Sequence, residues 1–234
     1  MMPLRTPIHR AGLVIGILLL SVSVPIVRAG TVIDQDTIDV WGKKSGLILS
    51  YSNKRLRLDQ KDEKLSTIIH FRNDRILILD HTSRTYIVYP LSKWEKQVSQ
   101  KIGEKEAVPK REIRVESTGA EKEINGFETK QIQVFIDGEL FQDIWATQDV
   151  NLGDMLKEIK KGFGHLSGFS KAEMEEKEEI YRKVKKWGFP VLTTEYRRVL
   201  GKTLKEITEV NRIETRKLSS DLFTPPRDYK QRTQ

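Results

Sequence analysis

The chain has 234 residues, of which 32% are charged, with 41 Lys and Arg, 33 Asp and Glu, and no cysteine. The lack of cysteine excludes disulfides, thiolate metal sites and a thiol nucleophile, so stability must come from an apolar core. The net charge is +8, but acidic and basic residues are interleaved rather than clustered with aromatic side chains, which argues against nucleic-acid binding.

The first 29 residues are typical of a secretory signal peptide. Arg5 and Arg10 precede an almost entirely apolar run over 11–27, and Val27-Arg28-Ala29 places small side chains at the two positions that a signal peptidase reads. We expect cleavage after Ala29 and a periplasmic, monomeric protein of one domain over 30–234. An uncleaved anchor is the alternative, although a spanning helix needs about 20 apolar residues and this run is interrupted by serine and proline.

Residues 30–90 are predicted to be β-structure, because short runs rich in Ile, Leu, Val and Tyr alternate with polar turns. The spacing of about 8–12 residues is that of antiparallel hairpins. The predicted strands are 47–51, 55–58, 66–71, 75–79 and 85–89. The last two are apolar on both faces, which predicts that both faces are covered or that one lines a cavity.

A short helix over 91–102 and a charged loop over 104–110 are predicted next. Strands then resume over 112–117, 128–136 and 139–146. Asn125-Gly126 and Asp137-Gly138 supply the residues that tolerate the positive φ of tight hairpin turns.

The hydrophobic period then switches to that of helices, which predicts a helical hairpin inserted over about 151–188. Its first helix starts at Asn151 and stops near Gly162, and its second starts at Ser170 and ends at Gly188. Strands return over 191–200 and 202–217, and 230–234 is predicted to be disordered. The pattern indicates an α+β fold built on antiparallel strands.

Motifs for catalysis and cofactors are sparse. His70 and His81 could meet across a hairpin, but two histidines without an acidic cluster are a weak metal signal. The Ser167 segment does not match a nucleophile elbow, and there is no phosphate-binding glycine motif. We therefore expect no enzyme activity, no cofactor and no metal, while a hydrolase with paired carboxylates stays open.

Large or flexible apolar side chains concentrate on the helical hairpin and the strand before it. Such residues most often form the core between helices and sheet. The alternative interpretation is that they line a cavity in an open, curved sheet and move aside for an acyl chain. The candidates are Trp145, Met155, Leu156, Phe163, Met174, Tyr181 and Trp187.

Four short motifs carry a family resemblance: Tyr51-Ser52-Asn53-Lys54-Arg55-Leu56-Arg57, Ile124-Asn125-Gly126-Phe127-Glu128-Thr129-Lys130, Asp143-Ile144-Trp145-Ala146 and Leu222-Phe223-Thr224-Pro225-Pro226-Arg227-Asp228-Tyr229. With the order of elements, they resemble the LolA-like half-barrel of outer-membrane lipoprotein-sorting carriers, and more closely a periplasmic domain-of-unknown-function family with that fold. The resemblance implies a strongly curved antiparallel half-barrel whose concave face is covered by the helical hairpin. It adds Tyr51, in the first motif, to the candidate ligand-binding residues.

The resemblance implies a periplasmic, non-enzymatic carrier that shields a lipid or a lipoprotein acyl chain, lipoprotein sorting being one such role. The alternative is an envelope module with the same fold that binds or senses other envelope proteins. An enzyme is the third hypothesis, and it requires a convergent polar site in a cleft.

Overall fold

The structure is a computed structural model, and it describes residues 28–94, 111–150, 152, 155 and 171–233. This part of the chain is mostly β and contains one twelve-stranded sheet. The strands are β1 Arg28–Ile38, β2 Lys44–Ser52, β3 Arg55–Gln60, β4 Leu65–His70, β5 Arg75–Asp80, β6 Thr85–Pro90, β7 Ile113–Ile124, β8 Phe127–Ile136, β9 Glu139–Thr147, β10 Phe189–Val199, β11 Lys202–Leu218 and β12 Lys230–Gln231. The helix α1 spans Lys171–Val184 and is followed by a 3₁₀ turn, Lys185–Trp187; a second 3₁₀ turn spans Ser220–Phe223.

The sheet order is β12-β6-β5-β4-β3-β2-β1-β11-β10-β9-β8-β7. All neighbouring strands are antiparallel except β12 and β6, which confirms the predicted hairpin arrangement. The first and last long strands pair in the middle of the sheet, where β1 runs along β11. The pairing of β1 with β11 therefore joins strands β2–β6, on one side of the sheet, to strands β7–β10 on the other.

Two predicted turns have the expected geometry. Asn125 and Gly126 have φ values of 51° and 83°, and Asp137 and Gly138 have 52° and 82°. Two successive positive φ values are the signature of the type I′ turn, whose twist matches that of the flanking strands. These turns fix the register of β7 with β8 and of β8 with β9.

The sheet curls between β8 and β11. In the β7–β8 turn, the Asn125 side-chain amide donates hydrogen bonds to the Val210 carbonyl at 3.0 Å and to the Glu209 carboxylate at 2.9 Å. On a flat sheet β8 and β11 would lie about 14 Å apart, because strands are spaced by about 4.8 Å. The hydrogen bonds therefore require the sheet to bend over its β9 and β10 strands.

The predicted helical hairpin is only partly described. Its second helix corresponds to α1, but most of its first helix lies outside the described residues, and so does most of the helix predicted over 91–102. Ile180 and Val184 of α1 pack on β8 and β9, against Ile132, Val134 and Ile144. The helix thus covers one face of this end of the sheet.

Both faces of β5 are buried, as its apolar run predicts; β6, the other strand with that prediction, is half-buried, and β4 is buried on both faces as well. Ile69 and Ile76 belong to one apolar cluster, together with Leu56 and Leu91. Their neighbours Ile68 and Leu77 belong to a second apolar cluster. Residues of the C-terminal segment, the part of the chain after β11, also belong to this cluster. Phe223 in that segment has no exposed surface.

The C-terminal prediction was wrong in one respect, because residues 230–232 are hydrogen-bonded to the edge of the sheet. The Lys230 amide donates to the Arg84 carbonyl at 3.0 Å, and the Arg232 amide donates to the Tyr86 carbonyl at 2.9 Å. An edge strand such as β6 exposes unpaired backbone groups, and the chain end uses them to form the parallel strand β12. Among the described residues, no helix is both long enough and apolar enough to cross a membrane.

Candidate apolar binding site

Three of the predicted ligand-binding residues meet in one apolar cluster, here called the central cluster. Met155 is buried in it, and Tyr51 and Trp145 are half-buried and pack against it. The buried members of the central cluster are Ile33, Ile124, Leu152, Met155, Val191 and Val210. They come from segments far apart in sequence, which the curl of the sheet brings together.

The strands explain why Tyr51 and Trp145 converge. Tyr51 lies on β2 opposite Thr31 of β1, and Trp145 lies on β9 opposite Gln131 of β8. Three strands, β1, β11 and β10, lie between β2 and β9 in the sheet order. The two rings therefore meet at one cluster only because the β7–β8 turn folds back towards β11.

Positive charge lies at the edge of the central cluster. The Lys122 ammonium is 4.0 Å from the centre of the Trp145 ring, a cation–π arrangement. Lys122 also lines a surface cavity of about 420 Å³. Lys122 therefore lies where the central cluster meets this cavity, whose lining carries two lysines and four carboxylates: Lys122, Lys130, Glu121, Glu123, Glu128 and Asp149.

Trp187 lines the same cavity, but it does not pack against the central cluster. It packs instead against the apolar cluster that Ile180 and Val184 of α1 form with β8 and β9, here called the α1 cluster. Its indole nitrogen Nε1 is buried and has no hydrogen-bond partner within the described structure. A buried N–H without an acceptor is uncommon, because desolvation of the group is not compensated. Tyr181 is also outside the central cluster: it lies on α1 with 41% of its surface exposed.

Three further candidates cannot be placed against the cluster. Leu156 and Phe163 lie outside the described residues, and Met174 lies on α1 with its side chain outside the description. A second cavity, of about 590 Å³, lies between the β8–β9 and β10–β11 hairpins, and its lining includes Phe141, Tyr196 and Arg197. None of the predicted residues lines it. Burial raises the pKa of Tyr196 there, as does the nearby carboxylate of Asp143.

The two histidines lie at opposite ends of the β4–β5 hairpin and contact the C-terminal segment rather than each other. His70 Nε2 is 2.8 Å from the Phe223 carbonyl oxygen, and His81 Nδ1 is 2.7 Å from the Tyr229 hydroxyl. Burial lowers the pKa of the His70 imidazole, and the nearby charges of Arg55 and Arg75 lower it further. Among the described residues, no group of three or more metal-ligating side chains is found.

A polar chain under the C-terminal segment was not predicted. His81 Nε2 is 2.6 Å from Ser66 Oγ, and the Ser66 hydroxyl donates to Asp59, which also accepts from Arg57 Nε at 2.8 Å. Since Asp59 accepts the Ser66 proton, the consistent arrangement has His81 donating from Nε2 and accepting the Tyr229 proton at Nδ1.

The hydrogen-bonded series of Tyr229, His81, Ser66 and Asp59 resembles a catalytic relay only in its residue types. Ser66 is 1% exposed, so no substrate can reach its hydroxyl, and its proton is directed at Asp59 rather than at the histidine. Arg57 also donates to the Leu222 carbonyl at 2.9 Å. The alternation of Arg55, Arg57 and Asp59 along β3 was the sequence signal for this polar face.

Comparison with solved structures finds similar chains at low identity. PNGF-II is 12% identical with a TM-score of 0.34, and the match covers 88% of this chain and 31% of that one. The MucA/MucB complex from Pseudomonas aeruginosa gives 11% identity and a TM-score of 0.44, covering 86% and 57%. A LolA superfamily protein from Nitrosomonas europaea gives 7% and 0.26, covering 85% and 91%. The chain thus spans about a third of PNGF-II and under three-fifths of the MucB chain.

No curated protein matches the sequence. A family model, described as a domain of unknown function (DUF4412), matches residues 36–229, which is most of the chain. The match confirms the predicted resemblance to a domain-of-unknown-function family, and a LolA superfamily protein is among the similar structures. The chain therefore belongs to the family described as domain of unknown function (DUF4412).

Proposed function

We propose that residues 30–234 form a periplasmic, non-enzymatic binding protein that shields a lipid or acyl chain at the central cluster. The observation that carries the proposal is the convergence of Tyr51, Trp145 and Met155 on that cluster, with both aromatic rings still half-exposed. Export by the predicted signal peptide, with cleavage after Ala29, is the premise for the location.

Half-exposed aromatic rings beside a buried apolar cluster leave apolar surface for a ligand to cover. Covering a further 100 Å² of that surface would contribute about 2.5 kcal/mol, and each buried methylene of the ligand about 0.8 kcal/mol. Met155 suits a variable chain because its thioether side chain is flexible and polarizable.

Lys122 suggests which end of the ligand faces solvent. Its ammonium lies over the Trp145 ring at the border of the cluster. An amphiphile with its chain against Trp145 could place an anionic head group beside this ammonium, where opposite charges attract. Because Glu121, Glu123, Glu128 and Asp149 line the same cavity, the charge there does not select an anionic head group by itself, and the proposal rests on the apolar surface of the central cluster.

Titration with a fluorescent fatty-acid probe tests the proposal. We expect saturable binding by the unaltered protein and a loss of about tenfold in Trp145→Ala, since half-burial of an aromatic ring is worth about 1.4 kcal/mol. Trp187→Ala is the matched control: it removes the same side chain from the α1 cluster and should lose less affinity.

Equal losses in the two variants would place the ligand elsewhere than the central cluster. No saturable binding by the folded, unaltered protein would reject the proposal. A protein that binds no probe but retains one defined envelope protein would fit the interaction-module alternative instead.

A further inference from the structure

Two neighbouring hairpins expose large apolar side chains at the same end of the sheet. Leu200, in the β10–β11 turn, is 99% exposed, and Trp41, in the β1–β2 turn, is 83% exposed. Val199 and Ile38 beside them are also exposed. Because β1 pairs directly with β11, the two turns belong to adjoining hairpins.

Among the described non-glycine residues with positive φ, Leu200 is the apolar one; the others are Asn, Asp, Lys and Arg. Leu200 has φ 50° and is followed by Gly201 with φ 76°, the same geometry as the Asn125-Gly126 and Asp137-Gly138 turns. Asn and Asp tolerate the left-handed conformation, whereas a leucine there costs about 1 kcal/mol or more. The chain therefore places an apolar side chain where local conformation and solvation both disfavour it.

Hydrogen bonds within the β1–β2 turn order its backbone, and Trp41 on this turn is exposed to solvent. One carboxylate oxygen of Asp39 accepts from the backbone amides of Trp41 and Lys43, both at 2.9 Å. The Gly42 amide donates to the Asp39 carbonyl at 2.9 Å, and the Asp39 amide donates to the Lys43 carbonyl at 3.0 Å. Trp41 is therefore displayed on an ordered turn.

The surroundings of the two tips are basic. Residues 39–44 and 196–206 contain six basic and two acidic residues, a net charge of +4 in 17 positions. Arg198 and Lys44 form ion pairs with acids on neighbouring strands, and Arg197 pairs with Glu195 on its own strand. Lys43 and Lys202 form none within the described part of the chain, and their charges add to an outward-facing positive surface.

We propose that these two hairpin tips form a docking surface for an anionic bilayer, with Trp41 and Leu200 entering the interfacial region and the flanking lysines contacting lipid head groups. Tryptophan is suited to this depth because its ring is apolar and its N–H is polar. Each lysine near an anionic surface adds attraction that salt screens. Because β11 extends five residues beyond the Ile38–Ile207 pair, about 17 Å of strand, the Leu200 tip protrudes further than the Trp41 turn, and a bilayer contacts both tips when the strands lie oblique to its surface.

The surface is distinct from the central cluster, so the inference does not depend on acyl binding. An interfacial role would also explain the cost of Leu200 in its turn. Outliers in local conformation that persist without a packing partner are reasonable indicators of function.

Flotation with lipid vesicles tests the inference on the processed protein recovered after export. We expect binding to vesicles of three parts phosphatidylcholine and one part phosphatidylglycerol, with little binding to pure phosphatidylcholine, and weaker binding in 0.5 M salt. Leu200→Asn and Trp41→Ser should each lower the partition coefficient about tenfold, because partial burial of one such side chain is worth roughly that factor.

Leu200→Asn also separates docking from folding. Asparagine tolerates the positive φ of this position, so the thermal midpoint should not fall when binding does. Leu200→Met keeps an apolar side chain and should retain binding, which makes it the matched control.

Quenching by bromine-labelled acyl chains gives a second readout. Part of the tryptophan emission should be quenched on vesicles, and that part should disappear in Trp41→Phe. The inference is overturned if the protein does not float with anionic vesicles, or if Leu200→Asn and Trp41→Ser float as well as the unaltered protein. Fatty-acid probe binding by the same variants should not change, so failure of docking and failure of the proposed acyl site are distinguishable.

Discussion

Replacing Phe223 with alanine should destabilise the whole sheet, although the residue lies only eleven positions before Gln234. The ring has no exposed surface, and the Arg55 guanidinium stacks on it at 4.7 Å. Removal of a fully buried phenylalanine ring costs about 3–5 kcal/mol, which includes the cavity that it leaves. Since a domain of this size has a total stability of about 5–15 kcal/mol, the loss would be a large part of it.

Urea unfolding followed by circular dichroism measures this loss, and the thermal midpoint should fall by about 10 °C. The neighbouring Leu222→Ala is the matched control: its side chain is only half-buried, so it should lose about 1 kcal/mol. A loss below about 1 kcal/mol in Phe223→Ala, or equal losses in both variants, would show that the C-terminal segment is not part of the core.

Three further changes test other parts of the fold. The pKa of His70 is lowered on folding, so stability is full above about pH 6.5 and should fall as the pH drops through the lowered value; His70→Gln should flatten this part of a urea-midpoint profile. Gly188→Ala should cost at least about 2 kcal/mol in urea unfolding, because Gly188 has φ 111° and a Cβ would overlap the Thr147 carbonyl; an unchanged midpoint would contradict the geometry. Arg57→Ala should cost about 3 kcal/mol by the same assay, because it leaves Asp59 without its ion pair in a largely buried setting, and Lys130→Ala, which removes an exposed pair, should cost little.

Strand positions were predictable where the segments between strands contain residue types that favour turns. The runs at 66–71, 75–79 and 85–89 match β4, β5 and β6 closely, because polar turns separate strands with apolar residues on both faces. The Asn125-Gly126 and Asp137-Gly138 turns were identified for the same reason. Local sequence therefore determined these elements.

Strand β1 was not singled out, because Asp34 and Asp36 interrupt its apolar pattern. In the fold, Lys61 lies 2.6 Å from Asp34, and Lys44 lies 2.9 Å from Asp36. These pairing partners come from the neighbouring β2 strand and the β3–β4 turn, so they could not be assigned before the strand order was known. Strand β12 was missed for a similar reason, since its only support is the edge of β6.

The candidate site was predictable in its residue types but not in its grouping. Tyr51, Trp145 and Met155 meet through the curl of the sheet, which depends on a contact between Asn125 and β11 rather than on spacing. Trp187 was grouped with Trp145 and Met155 because all three lie on or next to the predicted helical insertion in the sequence. The exposed Leu200, in contrast, was assigned to the end of the predicted strand 191–200, although Leu200-Gly201 stands where an Asn-Gly or Asp-Gly turn is usual.

Native mass spectrometry of the processed protein, recovered after export without detergent, tests the proposed acyl site most directly. We predict a population heavier by one lipid or fatty acid, identifiable after extraction, and a reduced share of that population in Trp145→Ala. A protein that is reproducibly empty, folded, and the same in both forms would contradict the proposal that Tyr51, Trp145 and Met155 shield an acyl chain.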